Sequence, residues 1–142
     1  MKKRTITLIA AIISIISITF PDSANAQLAG TFRKDLQRHD LSTPNREVIQ
    51  AEVGLKPGVK APRHSHPGEE VIYVLKGEIE YQLDGQPPVI VKAGQILFIP
   101  AGVVHSAKNT GKGEAVELAT YIVEKGKQLL VLAAPLPEKK NK

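Results

Sequence analysis

The stretch GVKAPRHSHPGEEVIYVLKG, residues 58–77, decides how the rest of the chain is interpreted. It places His64 and His66 one residue apart, follows them with Pro-Gly, and continues into an apolar, β-branched run that closes on glycine. Residues two apart on a strand point to the same side and lie about 7 Å apart along the chain. Both imidazoles can therefore aim at one point and share a metal ion.

A carboxylate close to these histidines extends the predicted site. Glu70 lies four residues after His66, so strand parity puts it on the same side, while its neighbour Glu69 is the competing carboxylate. We favour Glu70 because it opens the apolar run VIYVL, where its backbone is fixed, and we expect Glu69 to face solvent.

The chain has four histidines in all and no cysteine, so any metal must be held by His, Asp or Glu. His105 follows the turn sequence PAGVV and is the expected partner of the first pair. His39 lies in a polar segment, and we expect it at the surface, with a dimer contact as the alternative.

From Glu47 onward, the sequence pattern is typical of an all-β domain. Residues 78–85, EIEYQLDG, alternate apolar and polar side chains, which is typical of a half-buried strand. Turn sequences recur every eight or nine residues, and no long amphipathic helix is evident in the part after residue 26. Many short strands at even spacing predict a sandwich or barrel.

Two motifs in this chain resemble those of the cupin family. Residues 58–77 match its first motif, G-x5-H-x-H-x3-E-x6-G, and residues 94–109 match its second, G-x5-P-x-G-x2-H-x3-N, both without departure. The resemblance extends over most of residues 48–123. It implies an all-β cupin fold, a jelly-roll barrel of two antiparallel sheets also called a double-stranded β-helix, with a metal near its middle.

The organisation that follows has five parts. We expect a signal peptide at 1–26, an N-terminal extended arm at 27–46, a cupin barrel at 47–126, a C-terminal strand at 127–135 and a disordered tail at 136–142.

Carried over residue by residue, the resemblance implies that His64, His66, Glu70 and His105 are the metal ligands. Three neutral imidazoles and one carboxylate leave a divalent ion with a net charge of about +1, and an octahedral ion keeps two positions for other ligands. We expect one divalent transition metal per chain, with Fe, Mn, Ni, Cu and Zn all acceptable. The sequence does not assign the groups that hold the other ring nitrogens.

Three functions remain open at this point. The first is a metal-dependent dioxygenase-like oxidoreductase acting on a small organic molecule, with Glu70 and Tyr81 as candidate catalytic residues. The second is a metal-dependent isomerase or lyase acting on a sugar acid or another carboxylate, in which a nearby Tyr or Glu moves a proton. The third is a non-catalytic module that binds a small ligand or a metal. Tyr81 also has a structural interpretation, as a core or dimer-interface aromatic.

The N-terminus has the layout of a secretory signal peptide. Residues 2–4 are basic, residues 5–20 form an uncharged, mostly apolar run, and Ala-Asn-Ala at 24–26 precedes Gln27. An uncleaved anchor is the alternative, but 16 apolar residues are short for a span that needs about 20. We expect export to the periplasm or the medium, with no stable membrane anchor after cleavage.

Charge and resemblance together limit the partners. The net charge of +5 falls to +3 without residues 1–26, and the remaining basic residues form no stripe with interleaved aromatics, so we expect no nucleic-acid binding. A small-molecule ligand or substrate is the expected partner. The resemblance also implies a homodimer in which residues 27–46 contact a second subunit.

Overall fold

The computed structural model describes residues 29–134, and these residues form ten β-strands without a helix. The strands are β1 Thr31–Asp40, β2 Arg46–Leu55, β3 His64–Ser65, β4 Gly68–Lys76, β5 Glu78–Leu83, β6 Val89–Lys92, β7 Ile96–Ile99, β8 His105–Asn109, β9 Ala115–Glu124 and β10 Val131–Leu132. Between residues 29 and 134 no helix is long and apolar enough to cross a membrane. The predicted all-β class is confirmed.

The strands build two five-stranded sheets whose paired neighbours are all antiparallel. The first sheet has the order β1-β2-β9-β4-β7 and the second the order β10-β3-β8-β5-β6. Apart from the consecutive pairs β1–β2 and β5–β6, neighbours in each sheet are not consecutive in the chain, which is the jelly-roll arrangement that the sequence predicts. Consecutive strands therefore often lie in opposite sheets, and the space between the sheets collects residues from many parts of the chain.

The change of sheet between β4 and β5 takes place at a single residue, Gly77. Its φ of 75° lies in the left-handed region, which glycine enters without steric cost. A Cβ at this position would also lie 2.9 Å from the Cα of Ala115. The glycine that ends the first motif is thus required by both backbone conformation and space.

The inner faces of the two sheets form the core. Its larger cluster combines residues of β2, β4, β5, β6, β7, β8 and β9: Leu55, Ile72, Val74, Ile79, Tyr81, Leu83, Val91, Ile99, Ala107 and Ala115. Burial alternates along β4, where Ile72 and Val74 are buried and Tyr73 is 43% exposed. In β5, Ile79, Tyr81 and Leu83 are all buried, as predicted.

Asn109, the last residue of the second motif, joins the end of β2 to the loop between β8 and β9. It is completely buried, and its amide Nδ2 donates to the carbonyl oxygens of Leu55 and Gly113, both at 2.8 Å. Its Oδ1 accepts from the backbone N–H of Gly111 at 2.9 Å. The side chain thus supplies a hydrogen bond to the buried Leu55 and orders the loop that contains Gly111 and Gly113.

The two segments expected to flank the barrel both contain strands. In the predicted extended arm, residues 31–40 form the ten-residue strand β1, which covers the backbone edge of β2. In the predicted C-terminal strand, only Val131–Leu132 pair, with β3, because the chain must first cross from the first sheet to the second. The predicted signal peptide and disordered tail lie outside the described residues.

Candidate metal centre

The three histidines of the two motifs meet between the sheets. His64 on β3 is the direct cross-strand neighbour of His105 on β8, and His66 follows β3 immediately. The ring centroids are 5.0 Å apart for His64 and His66, 4.3 Å for His64 and His105, and 5.3 Å for His66 and His105. One ligand nitrogen of each lies within 4.8 Å of the others, so the three could hold a metal ion.

Each of these histidines uses Nδ1 for a backbone carbonyl. The Nδ1 of His64 lies 2.7 Å from the oxygen of Pro62, and that of His105 lies 3.0 Å from the oxygen of Val103. The Nδ1 of His66 lies 2.6 Å from the oxygen of Leu129, far along the chain. A carbonyl can only accept, so Nδ1 carries the proton and Nε2 keeps its lone pair. These are the outer partners that metal-bound imidazoles require.

Glu70 reaches the same point from the opposite sheet. It lies on β4, and its Oε2 is 3.3 Å from the Nε2 of His66 and 3.3 Å from the Nε2 of His105. Its side chain is only 3% exposed. Glu69, the alternative carboxylate, is partly exposed and points away. Strand parity therefore identified the carboxylate that the structure brings to the histidines.

Two atoms of the cluster indicate that the donor set fits a cation. The Nε2 of His66 and the Oε2 of Glu70 are buried, and neither has a hydrogen-bond partner among residues 29–134. Burying such atoms without a partner is costly, and a divalent ion between a lone pair and a carboxylate removes that cost. Imidazole and carboxylate together suit the divalent transition metals.

The pKa values of His64 and Glu70 favour the forms that bind metals, whereas that of His105 is shifted toward the protonated form. Burial and the nearby charge of His105 lower the pKa of His64 to about 4, so this ring is neutral at neutral pH. Burial would raise the pKa of Glu70, but its interactions with His105 and His66, whose Nε2 atoms lie 3.3 Å from its Oε2, outweigh that effect and lower the pKa to about 2. Burial lowers the pKa of His105, but the hydrogen bond and charge of Glu70 outweigh that effect and raise it.

A second carboxyl group, which the sequence analysis did not identify, lies in the same interior. Glu117 on β9 is buried, and Tyr81 on β5 donates its phenol proton to the Oε2 of Glu117. Burial and the negative charge of Glu70 raise the pKa of Glu117 to about 8, against the opposing effects of Tyr81, His105 and Arg33. Burial and Glu117 raise the pKa of Tyr81 well above its ordinary value.

Tyr121 packs beside the cluster from the buried face of β9. Its ring centroid is 4.8 Å from that of His66, and the residue is 4% exposed. From the outer side, Arg33 of β1 places its guanidinium carbon 5.4 Å from the same ring centroid. His39, in contrast, is exposed on β1 and takes no part in the cluster, as predicted.

Comparison with known proteins gives a consistent result. Residues 51–127 match the family model Cupin_2, a cupin domain. An oxalate-binding protein of Thermotoga maritima is 36% identical over 80 residues, covering 56% of this chain and 65% of the relative. The dimethylsulfoniopropionate lyase DddQ of Ruegeria pomeroyi is 37% identical over 51 residues, covering 36% of this chain and 25% of the relative.

Solved structures agree on the fold. Oxalate oxidase in complex with the substrate analogue glycolate superposes with a TM-score of 0.60 at 26% identity, covering 75% of this chain and 57% of that one. A cupin-like protein of Thermotoga maritima gives a TM-score of 0.59 at 26% identity, covering 76% and 79%. The curated relatives are matched over only 25% to 65% of their own length.

Proposed function

Because this chain belongs to the cupin family, we propose that it is a metal-dependent enzyme that moves a proton on a small carboxylate bound inside the barrel. The four residues that would hold the metal are His64, His66, Glu70 and His105. A divalent ion in this set supplies a Lewis acid that polarises a carboxylate or carbonyl oxygen. The reaction class is that of an isomerase or lyase, the second of the functions that the sequence left open.

One observation carries the proposal: the hydrogen-bonded pair of Tyr81 and Glu117. The two side chains come from opposite sheets, both are buried, and the charge of Glu70 raises the pKa of both. Neighbouring carboxyl groups with pKa values pushed apart are typical of acid and base roles in one site. In the metal-free protein Glu70 is ionised, while Glu117, whose pKa is raised to about 8, holds a proton near neutral pH that it can release or accept.

The ligands of similar proteins support this substrate class. One relative is an oxalate-binding protein, another is a lyase of dimethylsulfoniopropionate, and an oxalate oxidase was solved with glycolate. These ligands share a carboxylate and a small size. Two ligand positions left on an octahedral ion suit such a molecule.

An oxidoreductase is the second candidate, in the dioxygenase-like form expected from the sequence. The similarity to oxalate oxidase, with a TM-score of 0.60, favours it. In that case the Tyr81 and Glu117 pair positions the substrate rather than exchanging protons with it. Oxygen consumption distinguishes the two candidates.

The test starts with metal content. Protein from its native compartment is analysed for stoichiometric metal, with His66→Ala as the site variant and His39→Ala as the matched control. We expect about one ion per chain in the wild type and the control, and loss in His66→Ala. Absence of metal from the wild type would contradict the proposal.

Turnover is then measured with small carboxylates under anaerobic conditions. Product formation without oxygen, abolished in Tyr81→Phe and Glu117→Gln with metal content unchanged, supports the isomerase or lyase. Metal-dependent oxygen uptake supports the oxidoreductase instead. Tight binding without turnover leaves a binding module and contradicts an enzymatic role.

Export and assembly belong to the proposal as well. We expect the protein to act in the periplasm or medium, since residues 1–26 have the layout of a signal peptide, and N-terminal sequencing should then begin at Gln27. A homodimer through the β1 region is expected by family resemblance, and light scattering of the mature protein tests it.

A further inference from the structure

One side of the barrel carries apolar side chains that no residue between 29 and 134 covers. It lies where the edge strands of the two sheets, β6 and β7, follow each other across the turn at residues 93–95. Half of the twelve large apolar side chains exposed in the described part of the chain lie here, and we call them the β6–β7 face: Tyr73, Leu75, Val89, Ile90, Ile96 and Phe98.

The six side chains form one continuous surface. Tyr73 is the direct cross-strand neighbour of Ile96, and Phe98 lies two residues further along β7 on the same side of the sheet. Leu75 borders them where the backbone of Val74 is hydrogen-bonded to the turn at residues 94 and 95. An open groove of about 510 Å³ continues the surface onto β6, lined by Val89, Ile90, Val91, Gly94, Gln95 and Ile96.

The size and composition of the β6–β7 face are those of a protein interface. Its side chains are 40% to 72% exposed, so at about 200 Å² for a whole large side chain they expose roughly 600 Å². That is at the upper limit of the apolar patches that monomers typically expose, and it supplies most of the ~800 Å² that each partner contributes to a standard interface. Residues 87–91 and 95–99 carry no charge, whereas Lys76 and Lys92 lie at the rim. An apolar centre with a charged rim is typical of interfaces.

The opposite edge of the first sheet has features that oppose association. β1, where the family resemblance implies the dimer contact, carries five charged residues and one exposed large apolar side chain, Leu36. Its pairing with β2 is irregular between Asp35 and Gln37. Charges and bulges are the devices by which edge strands avoid pairing with other chains. β7 has neither, because its four residues are apolar and its pairing with β4 is regular.

The shape of the β6–β7 face is complementary to itself. Ile96 is the most exposed of the six residues at 72%, and it lies at the border of the groove that Val89 and Ile90 line. A twofold axis through the face lets the Ile96 side chain of each copy enter the groove of the other. This is the isologous contact of a symmetric dimer.

We propose that a second copy of this chain packs on the β6–β7 face, with Ile96 of each copy in the groove of the other. The proposal does not depend on the reaction at the metal centre, because none of the six residues belongs to that centre. An anionic membrane surface suits the face less well, because the two rim lysines already pair with glutamates. Lys76 lies 3.6 Å from Glu114, and Lys92 lies 3.9 Å from Glu78.

Light scattering of the purified protein over a concentration series tests the proposal. We expect a dimer at micromolar concentrations for the wild type, and association at least about 100-fold weaker for Ile96→Glu, because each dimer would bury two carboxylates without partners. Leu36→Glu is the matched control, since it places the same charge on an exposed apolar residue of β1, and it should leave the dimer intact. Circular dichroism checks that both variants are folded.

A mixture of two variants tests the contact itself. Ile90→Lys alone should also weaken association, but when it is mixed with Ile96→Glu the two should form a dimer at least about 10-fold tighter than either variant forms alone. The reason is that the lysine in the groove of one copy then faces the glutamate of the other. Leu132→Lys, on the exposed strand β10 at the far edge of the second sheet, is the control and should not restore the dimer.

The outcomes are distinct. A wild type that stays monomeric throughout the concentration series overturns the proposal, and so does a dimer that Leu36→Glu disrupts and Ile96→Glu does not. Binding of a monomeric wild type to phosphatidylglycerol vesicles, abolished in Ile96→Glu, also overturns it, because the face then contacts a membrane. Recovery of the dimer in the mixture of Ile96→Glu and Ile90→Lys supports it. Metal content, which tests the proposed function, should be unchanged in Ile96→Glu.

Discussion

Glu117 makes the stability of the metal-free protein depend on pH in a way that one substitution should remove. Its pKa is about 8 in the folded chain, since burial and the charge of Glu70 raise it, against an ordinary value of 4.5. The folded state therefore binds a proton that the unfolded state has released between these two values. Stability from Glu117 is complete at low pH and is lost as pH rises toward 8.

The expected change in the free energy of unfolding follows from a difference of one bound proton. A difference of one bound proton changes the free energy of unfolding by about 1.4 kcal/mol for each pH unit. Glu117→Gln keeps the size of the side chain and an oxygen for the Tyr81 phenol, but it cannot titrate. Between about pH 5.5 and 7.5, the wild type should lose roughly 2–3 kcal/mol relative to this variant.

The assay is urea unfolding of the wild type and Glu117→Gln at a series of pH values, with a chelator present to keep both proteins metal-free. The charged and titratable groups that face Glu117 come from four other positions of the barrel and are present in both proteins: Tyr81, Glu70, His105 and Arg33. Glu114→Gln, which removes a carboxyl that is 42% exposed, is the matched control. Parallel curves for the wild type and Glu117→Gln would refute the assignment of a protonated carboxyl.

Two further predictions concern the scaffold. Gly68→Ala should destabilise the fold by about 1–3 kcal/mol, because a Cβ would lie 2.1 Å from the carbonyl oxygen of Ile122. Gly113→Ala is the control and should change stability little, because no atom lies within 4 Å of the added Cβ. Thermal unfolding of both variants measures the difference. Asn109→Ala should cost about 2 kcal/mol, because it leaves the buried carbonyl of Leu55 unpaired and removes two hydrogen bonds to the loop between β8 and β9. Denaturant unfolding checks it, and a loss no larger than that of Thr110→Ala would contradict it.

The histidine cluster could be predicted because its signal is local. His64, His66 and Glu70 lie within seven residues, and strand parity relates their directions. His105 is remote, but its turn sequence belongs to the second motif. In β4 both faces carry apolar residues, so the buried positions follow from parity with Glu70 and not from hydrophobicity.

Glu117 and Arg33 could not be predicted, for two different reasons. In β9 the buried face carries Glu117 and two alanines, while the outer face carries Val116 and Leu118, so hydrophobicity favours the wrong face for Glu117. Parity with Tyr121 is the one signal that places Glu117 inside. Both faces of the run ATYIV are apolar, however, so the sequence does not show which way Tyr121 points. Arg33 depends on the pairing of β1 with β2, a contact that no local pattern encodes.

The bond between His66 and the carbonyl of Leu129 has a thermodynamic consequence for the end of the described chain. The other two ring nitrogens are held by carbonyls two residues before them, but this one is held from 63 residues away, next to β10. Metal binding by His66 and docking of residues 129–132 on the barrel are therefore thermodynamically linked. If docking of residues 129–132 raises the metal affinity by a certain factor, metal binding raises the equilibrium constant for docking by the same factor.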